Sequence, residues 1–188
     1  MAATTDANGK TGQPLGIGLV VMSVAARLLP HPPNFTPVGG SALLAGARLR
    51  GWRAWLAPLA AMAISDPIIN WGYGLRPYGR GTVFIYASFL LNVVIGRLWL
   101  RASENAWRIG AAALAGSAQF FLISNFPVWL FGTRYPHTWA GLIGCYVAAI
   151  PFFGGTVLGD LFWSGALFGL HAWLSRRAFP AERVGAAA

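Results

Sequence analysis

Charge is scarce in this sequence, and negative charge is the scarcest kind. Five of the 188 residues are acidic and fourteen are basic, so charged residues make up 10% of the chain, while 56% of it is hydrophobic. The mean hydropathy is +0.55. A soluble domain of this size needs far more charge to cover its surface. The composition therefore excludes a soluble protein and predicts a single integral membrane domain.

Other absences narrow the function. The single cysteine, Cys145, excludes an internal disulfide. The sequence has no Walker loop, so the chain cannot hydrolyse ATP itself. His31 and His137 belong to no His/Cys/carboxylate spacing that makes a zinc site. We therefore expect no cofactor, no bound metal and no enzymatic activity.

The basic excess gives a formal net charge of +9 and consists of Lys10 and thirteen arginines. The arginines lie at the ends of apolar runs, which is the topology signal of membrane proteins and argues against nucleic acid as a partner. With six spans and both termini inside, ten basic residues lie on the cytoplasmic side and four on the outer side. This bias predicts a multi-pass protein of the inner (cytoplasmic) membrane, with the lipid bilayer as its surroundings.

Six apolar runs predict an all-α, six-helix membrane bundle. The runs cover 14–29, 38–49, 52–73, 82–101, 106–124 and 155–176. Pro14 and Pro30 bracket the first run, because proline fits the first turn of a helix and stops a helix elsewhere. We expect one transmembrane domain at 14–177, a disordered N-terminal tail at 1–13 and a C-terminal tail at 178–188.

The apolar segment 138–153 is the ambiguous part of this scheme. A seventh span would place the C-terminal arginines outside and weaken the charge bias, so six spans are favoured. The segment is then expected to form an extra short re-entrant or lid helix between helices 5 and 6, covered by other protein. Pairs of small residues, such as Gly165 and Gly169, predict close helix packing or a docking face for another subunit.

Polar side chains that cost free energy to bury in a membrane lie near the predicted outer face. Asp66 and Arg27 lie at nearly the same height on their helices, and a carboxylate in apolar surroundings needs a partner, so an Arg27–Asp66 pair is expected. Aromatic rings in the outer loops above these groups are typical of a ligand pocket. The candidate substrate-binding residues are His31, Asn34, Asp66, Asn70, Asn125, Trp129, Tyr135, His137, Cys145 and Asp160.

Each candidate also has a structural interpretation. Asp66 and Asp160 can satisfy free backbone amides at loops and helix starts. A loop histidine is commonly bonded to nearby backbone, and a cysteine in an apolar run commonly behaves as a small buried hydrophobe. The sequence leaves these alternatives open.

Two blocks of sequence resemble one family. The first is LPHPPNFTPVG at 29–39. The second comprises SNFPVW at 124–129, YPHTWAGL at 135–142, Cys145 and Tyr146, AIPFF at 149–153 and LGD at 158–160. They resemble small bacterial membrane proteins catalogued as candidate transport proteins of unknown function. Those proteins are similar in turn to the substrate-binding S components of energy-coupling factor transporters, and the resemblance covers residues 15–173.

The resemblance implies six helices, a vitamin-sized ligand taken from the outer face for uptake, and docking to a membrane coupling subunit with ATPases. A cobalamin is one candidate ligand, with Cys145, His31 or His137 as a cobalt ligand. S components commonly carry an Ala-xxx-Ala face on helix 1, and this chain has no pair of small residues spaced by four there. The protein is therefore expected either to dock a coupling subunit or to act alone.

Two other functions stay open at this stage. A non-catalytic membrane assembly or scaffold protein would use the small-residue faces for contact with other proteins. An intramembrane aspartyl protease would use Asp66 and Asp160 as a carboxylate pair. Against the protease, the familiar motif is Gly-x-Gly-Asp, whereas this chain has Val157 where the first glycine is required.

Overall fold

The computed structural model describes the backbone of residues 7–178 and the side chains of residues 14–176. This part of the chain is all-helical, which confirms the predicted fold class. Its helices are α1 (Ala7–Leu28), α2 (Val38–Arg48), α3 (Arg53–Gly72), α4 (Thr82–Trp99), α5 (Ala106–Phe131) and α6 (Trp139–Ala178).

Three of the described helices, α4, α5 and α6, are long and apolar enough to cross a membrane. The apolar part of α1 covers only Pro14–Leu28, and α2 has 11 residues, whereas a span needs about 20. α3 has 20 residues but includes Arg53, Asp66 and two prolines. The structure thus supports three candidate spans instead of the predicted six.

The separate lid helix is not seen. Residues 139–178 form one continuous helix of 40 residues, about 60 Å long at 1.5 Å per residue. The sixth apolar run was predicted to begin at Gly155, but Gly155 lies inside α6. A side chain at Gly155 would collide with the carbonyl oxygen of Pro33. This glycine therefore allows the loop between α1 and α2 to approach α6, and it does not end the helix.

Two predicted helix ends are also wrong. α1 begins at Ala7, so residues 7–13 of the predicted tail are helical, and Pro14 lies inside the helix. α5 continues past 124 and through Pro127 to Phe131. An internal proline removes one backbone hydrogen bond without necessarily ending a helix whose surroundings hold it in place. Of the predicted C-terminal tail, Ala178 is helical and the rest lies outside the described residues.

The helices pack in alternating directions. α1 and α3 run parallel, since Arg27 contacts Asp66 near one end while Gly16 and Leu56 share a groove nearer the other. α4 is antiparallel to α3, because Tyr86 bonds to Asp66 and Arg97 lies over Trp55. α5 and α6 form an antiparallel hairpin. We call the end of the bundle where α1 and α3 finish the upper end.

The short helix α2 lies at the centre of this arrangement. Its residues from Val38 to Ala47 are all buried, and it touches each of the other five helices. Arg48 ends α2 and donates to the carbonyl oxygens of Leu100 and Ser103 at 2.8 and 3.1 Å. These bonds satisfy carbonyl groups beyond the end of α4 that would otherwise lack donors. α2 is thereby held at the lower end of the bundle.

Glycines allow the backbones of α2 and α4 to approach closely and reciprocally. A Cβ on Gly46 would collide with the carbonyl oxygen of Val93, and a Cβ on Gly96 would collide with that of Leu43. A further close approach joins α2 to α6, where a Cβ on Gly40 would lie 2.8 Å from the Ser164 nitrogen. The predicted pair Gly165 and Gly169 behaves differently, because nothing lies within 4 Å of a Cβ at either position.

We predict that Gly96→Ala destabilises the protein, because the neighbouring atom belongs to a backbone that cannot rotate away. Overpacking of this kind costs about 1–3 kcal/mol, or about 2–4 °C in melting temperature per kcal/mol. Gly169→Ala is the matched control and should not lower the melting temperature, since alanine has a higher helix propensity than glycine. The unfolding of both variants in detergent can be followed by dye labelling of the buried Cys145. Equal melting temperatures for the two would contradict the close packing.

Candidate functional site

A cavity of about 830 Å³ lies above the N-terminal end of α2. α2 is little more than half as long as α3 and α4, and its first residues, Val38 and Gly39, form part of the cavity wall. The remaining wall comes from α1, the loop 29–37, α3, α4, α5 and α6. The cavity therefore occupies the space that a full-length helix would fill.

An ion pair forms one side of the cavity. Arg27 Nη2 donates to Asp66 Oδ1 at 2.7 Å, and the two side chains are 15% and 14% exposed. Tyr86 OH donates to the other carboxylate oxygen at 3.0 Å. The guanidinium also contacts the Met62 sulfur. The expected Arg27–Asp66 pair is thus confirmed, and both oxygens of Asp66 are satisfied within the protein.

A second carboxylate, Asp160, lines the cavity from α6. It is 6% exposed, and its Oδ2 accepts a hydrogen bond from the Ser117 hydroxyl of α5 at 2.7 Å. Its carboxylate lies against the backbone of Gly39, where any side chain would collide with it. The predicted helix at 155–176 put Asp160 near a helix start, whereas Asp160 lies in the interior of α6 beside the N-terminal turn of α2.

The loop 29–37 closes one side through a tight turn. The amide of Phe35 donates to the carbonyl oxygen of Pro32 at 3.1 Å, and Asn34 has a φ of 61°. A proline followed by a residue of positive φ is the pattern of a type II turn. Asn34 Nδ2 donates to the carbonyl oxygen of Phe152 at 3.3 Å, and Phe35 packs on Phe162 with ring centroids 5.5 Å apart. These contacts attach the loop to α6.

Apolar rings and a polar cluster lie deeper in the bundle. Phe89 and Phe120 line the cavity and pack with ring centroids 5.1 Å apart. One helical turn below Phe89, Asn92 Oδ1 accepts from Gln119 Nε2 at 2.9 Å, and the same nitrogen donates to the carbonyl oxygen of Ser88. Within residues 14–176, Asn92 Nδ2 and Gln119 Oε1 are buried without a hydrogen-bond partner.

The structure brings together half of the predicted site. Five of the ten candidates line the cavity, and they are His31, Asn34, Asp66, Asn70 and Asp160. His31 Nδ1 donates to the adjacent Pro32 carbonyl at 2.9 Å, and Asn70 donates to the Pro77 carbonyl at 2.8 Å. Both side chains thus fix loop backbone as well as lining the cavity.

The other five candidates belong to the α5–α6 hairpin and do not line the cavity. Trp129 Nε1 donates to the carbonyl oxygen of Pro136 at 3.0 Å, and His137 Nε2 donates to that of Trp129 at 3.0 Å. Cys145 is 3% exposed, and its sulfur faces the carbonyl oxygen of Asn125 at 3.8 Å. These contacts, together with the half-buried Tyr135 near Gly144, connect the two helices of the hairpin.

Comparison with known proteins identifies the family. The model of a family of unknown function, DUF6580, matches residues 10–182. The chain belongs to this family. No curated protein and no solved structure matches the chain. The resemblance to S components of energy-coupling factor transporters is therefore not shown by these comparisons.

Several residues of this DUF6580 chain contribute to the cavity but were missed as site residues. Tyr86 fixes Asp66 and Ser117 fixes Asp160, while Thr36 and Thr156 line the wall. A lone hydroxyl in an apolar helix gives little signal, because serine and threonine often bond to their own backbone. Within the described side chains, no three His, Cys, Asp or Glu residues group together to hold a metal ion. The cobalt ligands considered for a cobalamin, His31, His137 and Cys145, are bonded to backbone groups instead.

We predict that Asp66→Asn destabilises the DUF6580 chain strongly, because it leaves the Arg27 guanidinium buried without a counter-charge. Breaking a buried pair in this way costs about 3–5 kcal/mol. The double variant Arg27→Met/Asp66→Leu removes both charges and should recover much of the loss. Tyr86→Phe removes only a hydrogen bond to the carboxylate and should cost less, about 1.5–3 kcal/mol. Folded yield and melting temperature in detergent measure all three, and an Asp66→Asn protein as stable as wild type would show that the pair contributes nothing.

Proposed function

We propose that this chain is a membrane-embedded binding protein that receives a small, vitamin-sized molecule from the outer face for uptake. The observation that carries the proposal is the cavity of about 830 Å³ above α2. Ligand pockets typically measure about 300–1,000 Å³ and combine apolar walls with a few well-placed polar groups. Here Phe89 and Phe120 supply apolar wall, and Arg27, Asp66 and Asp160 supply the polar groups.

The surroundings of the cavity support a protein that works within a bilayer. α4, α5 and α6 have the length and composition of membrane spans, and large apolar side chains such as Val83, Leu158 and Phe162 are exposed on the outside of the bundle. Lipid is the solvent that such a surface requires. In this proposal both termini lie on the cytoplasmic side of the inner membrane, as the arginine bias predicts for six spans, and the upper end with its cavity then faces outward.

Uptake requires an energy source that this chain does not supply, since its sequence has no Walker loop. A membrane coupling subunit with ATPases is the partner that the proposal implies, and the S-component resemblance is part of the same proposal. One observation favours an assembly or scaffold role as the second candidate. Gly165 and Gly169 form an open, small-residue face on α6 with nothing packed within 4 Å of their Cβ positions. Such faces allow another helix to approach closely.

The geometry gives an aspartyl protease no support. A catalytic carboxylate pair shares one proton between two neighbouring acids. Here Asp66 bonds to Arg27 and Tyr86, and Asp160 bonds to Ser117. Each carboxylate therefore has its own partners, and neither is bonded to the other.

We predict that a specific small molecule co-purifies with the protein and that filling the cavity removes it. Ile85 lines the cavity from α4, so Ile85→Trp should occlude it. Val83 lies on the same helix but is 73% exposed on the outside, so Val83→Trp is the matched control. Mass spectrometry of extracts from the detergent-purified proteins makes the comparison. Wild type and Val83→Trp should release the same compound, and Ile85→Trp should not.

Two results would count against a binding function. One is an extract with no compound enriched over an unrelated membrane protein prepared in parallel. The other is a compound retained equally by Ile85→Trp, which would place its binding elsewhere. Equal melting temperatures of the two tryptophan variants establish that any difference between them arises in the cavity and not from misfolding.

A further inference from the structure

The charges that line the cavity do not balance. Arg27, Asp66 and Asp160 are the arginine and acid side chains among the lining residues. Arg27 and Asp66 neutralise each other across 2.7 Å. When both carboxyl groups are ionised, these three side chains carry one net negative charge, and this charge resides on Asp160.

Asp160 has no basic partner among the described side chains. The Arg27–Asp66 contact is the one ion pair within residues 14–176, and the hydrogen bond that Asp160 receives comes from the neutral Ser117 hydroxyl. A charged group buried without a counter-ion is expensive, and in membrane proteins such groups commonly mark substrate or ion sites.

The N-terminal turn of α2 compensates only part of this charge. Gly39 lies in that turn and directly against the Asp160 carboxylate. The dipole of a helix places roughly half of a positive charge at its N-terminus. An ionised Asp160 therefore keeps uncompensated negative charge, and its side chain lines the cavity.

We propose that the ligand of this cavity is an organic cation, an amine on an apolar body, whose ammonium group binds Asp160. This inference rests on the proposed binding function and adds the chemical class of the ligand. The ammonium group supplies the counter-charge that the protein lacks. The apolar body packs on Phe89 and Phe120, whose rings lie 5.1 Å apart on the same cavity, and an aromatic face also attracts a nearby cation.

Three probes of one shape and different charge test this inference. Phenethylamine is cationic, 2-phenylethanol is neutral and 3-phenylpropionate is anionic at neutral pH. Each is added at millimolar concentration to the purified full chain, and unfolding is followed by a thiol-reactive dye. The buried Cys145 makes this readout possible, because it is the single cysteine. Binding to the folded state raises the melting temperature.

The expected result is a rise of about 2–4 °C with phenethylamine and little change with the other two probes. Asp160→Asn should lose this rise because it removes the charge while keeping a similar shape. Glu104→Gln is the matched control, since Glu104 is an exposed acid beyond the lower end of α4, and it should retain the rise. If Asp160→Asn gives no folded protein, the ranking of the three probes in wild type and the loss of the rise in Ile85→Trp decide the question.

Three outcomes would overturn the inference. The first is a rise in melting temperature with phenethylamine that persists in Asp160→Asn. The second is a neutral or anionic probe that raises the melting temperature of the wild type as much as phenethylamine does. The third is that none of the probes changes the melting temperature. A neutral or anionic probe whose effect disappears in Ile85→Trp would leave the binding function standing with a different ligand class. Failure of the binding function itself appears separately, as the absence of a co-purifying compound.

Discussion

The close backbone approach of α2 to its neighbours determines where the cavity of this protein lies. Gly46 and Gly96 bring α2 and α4 together at two reciprocal points, and Gly40 brings α2 against α6. A helix of 11 residues held in this way is about 17 Å long and fills only the lower half of the bundle. The cavity exists because α2 is shorter than the neighbouring helices α3 and α4. Sequence changes that lengthen or displace α2 would remove the cavity without touching any residue of its upper wall.

The polar groups around the cavity are costly in an apolar bundle, and the structure compensates them unequally. Asp66 has an arginine and a tyrosine as partners, so its charge is balanced inside the protein. Asp160 has a serine and the end of a short helix as partners, so the negative charge of its ionised form is balanced only in part. The desolvation cost of a buried ion is offset only when a counter-charge lies nearby in good geometry. A buried carboxylate without such a partner therefore points to a role in binding. The proposed preference of the cavity for a cation rests on this difference between the two aspartates.

Much of this arrangement was accessible from the sequence. The heights of Arg27 and Asp66 predicted their pairing, and Pro30 predicted the end of the first helix, which the structure places at Leu28. The run at 38–49, the shortest of the six, corresponds to the short helix α2. What the sequence could not show is why particular glycines and prolines are present. Gly155 lies inside a helix because a loop packs against it, and Pro127 lies inside α5 against Gly81. The sequence prediction ended a helix before Pro127 and began another at Gly155, so Trp129 was expected in a loop and Cys145 in a lid over the ligand. In the structure Trp129 lies in α5 and Cys145 in α6, the two helices of one hairpin.

A density map of the protein, purified in lipid nanodiscs without added ligand, would show directly whether the cavity above α2 binds a small molecule at Asp160. We expect density for a compact non-protein molecule above α2, in contact with the Asp160 carboxylate and bounded by Arg27 and Phe120. A space above α2 that is closed by protein side chains, or filled by a lipid acyl chain that leaves Asp160 uncontacted, would contradict it.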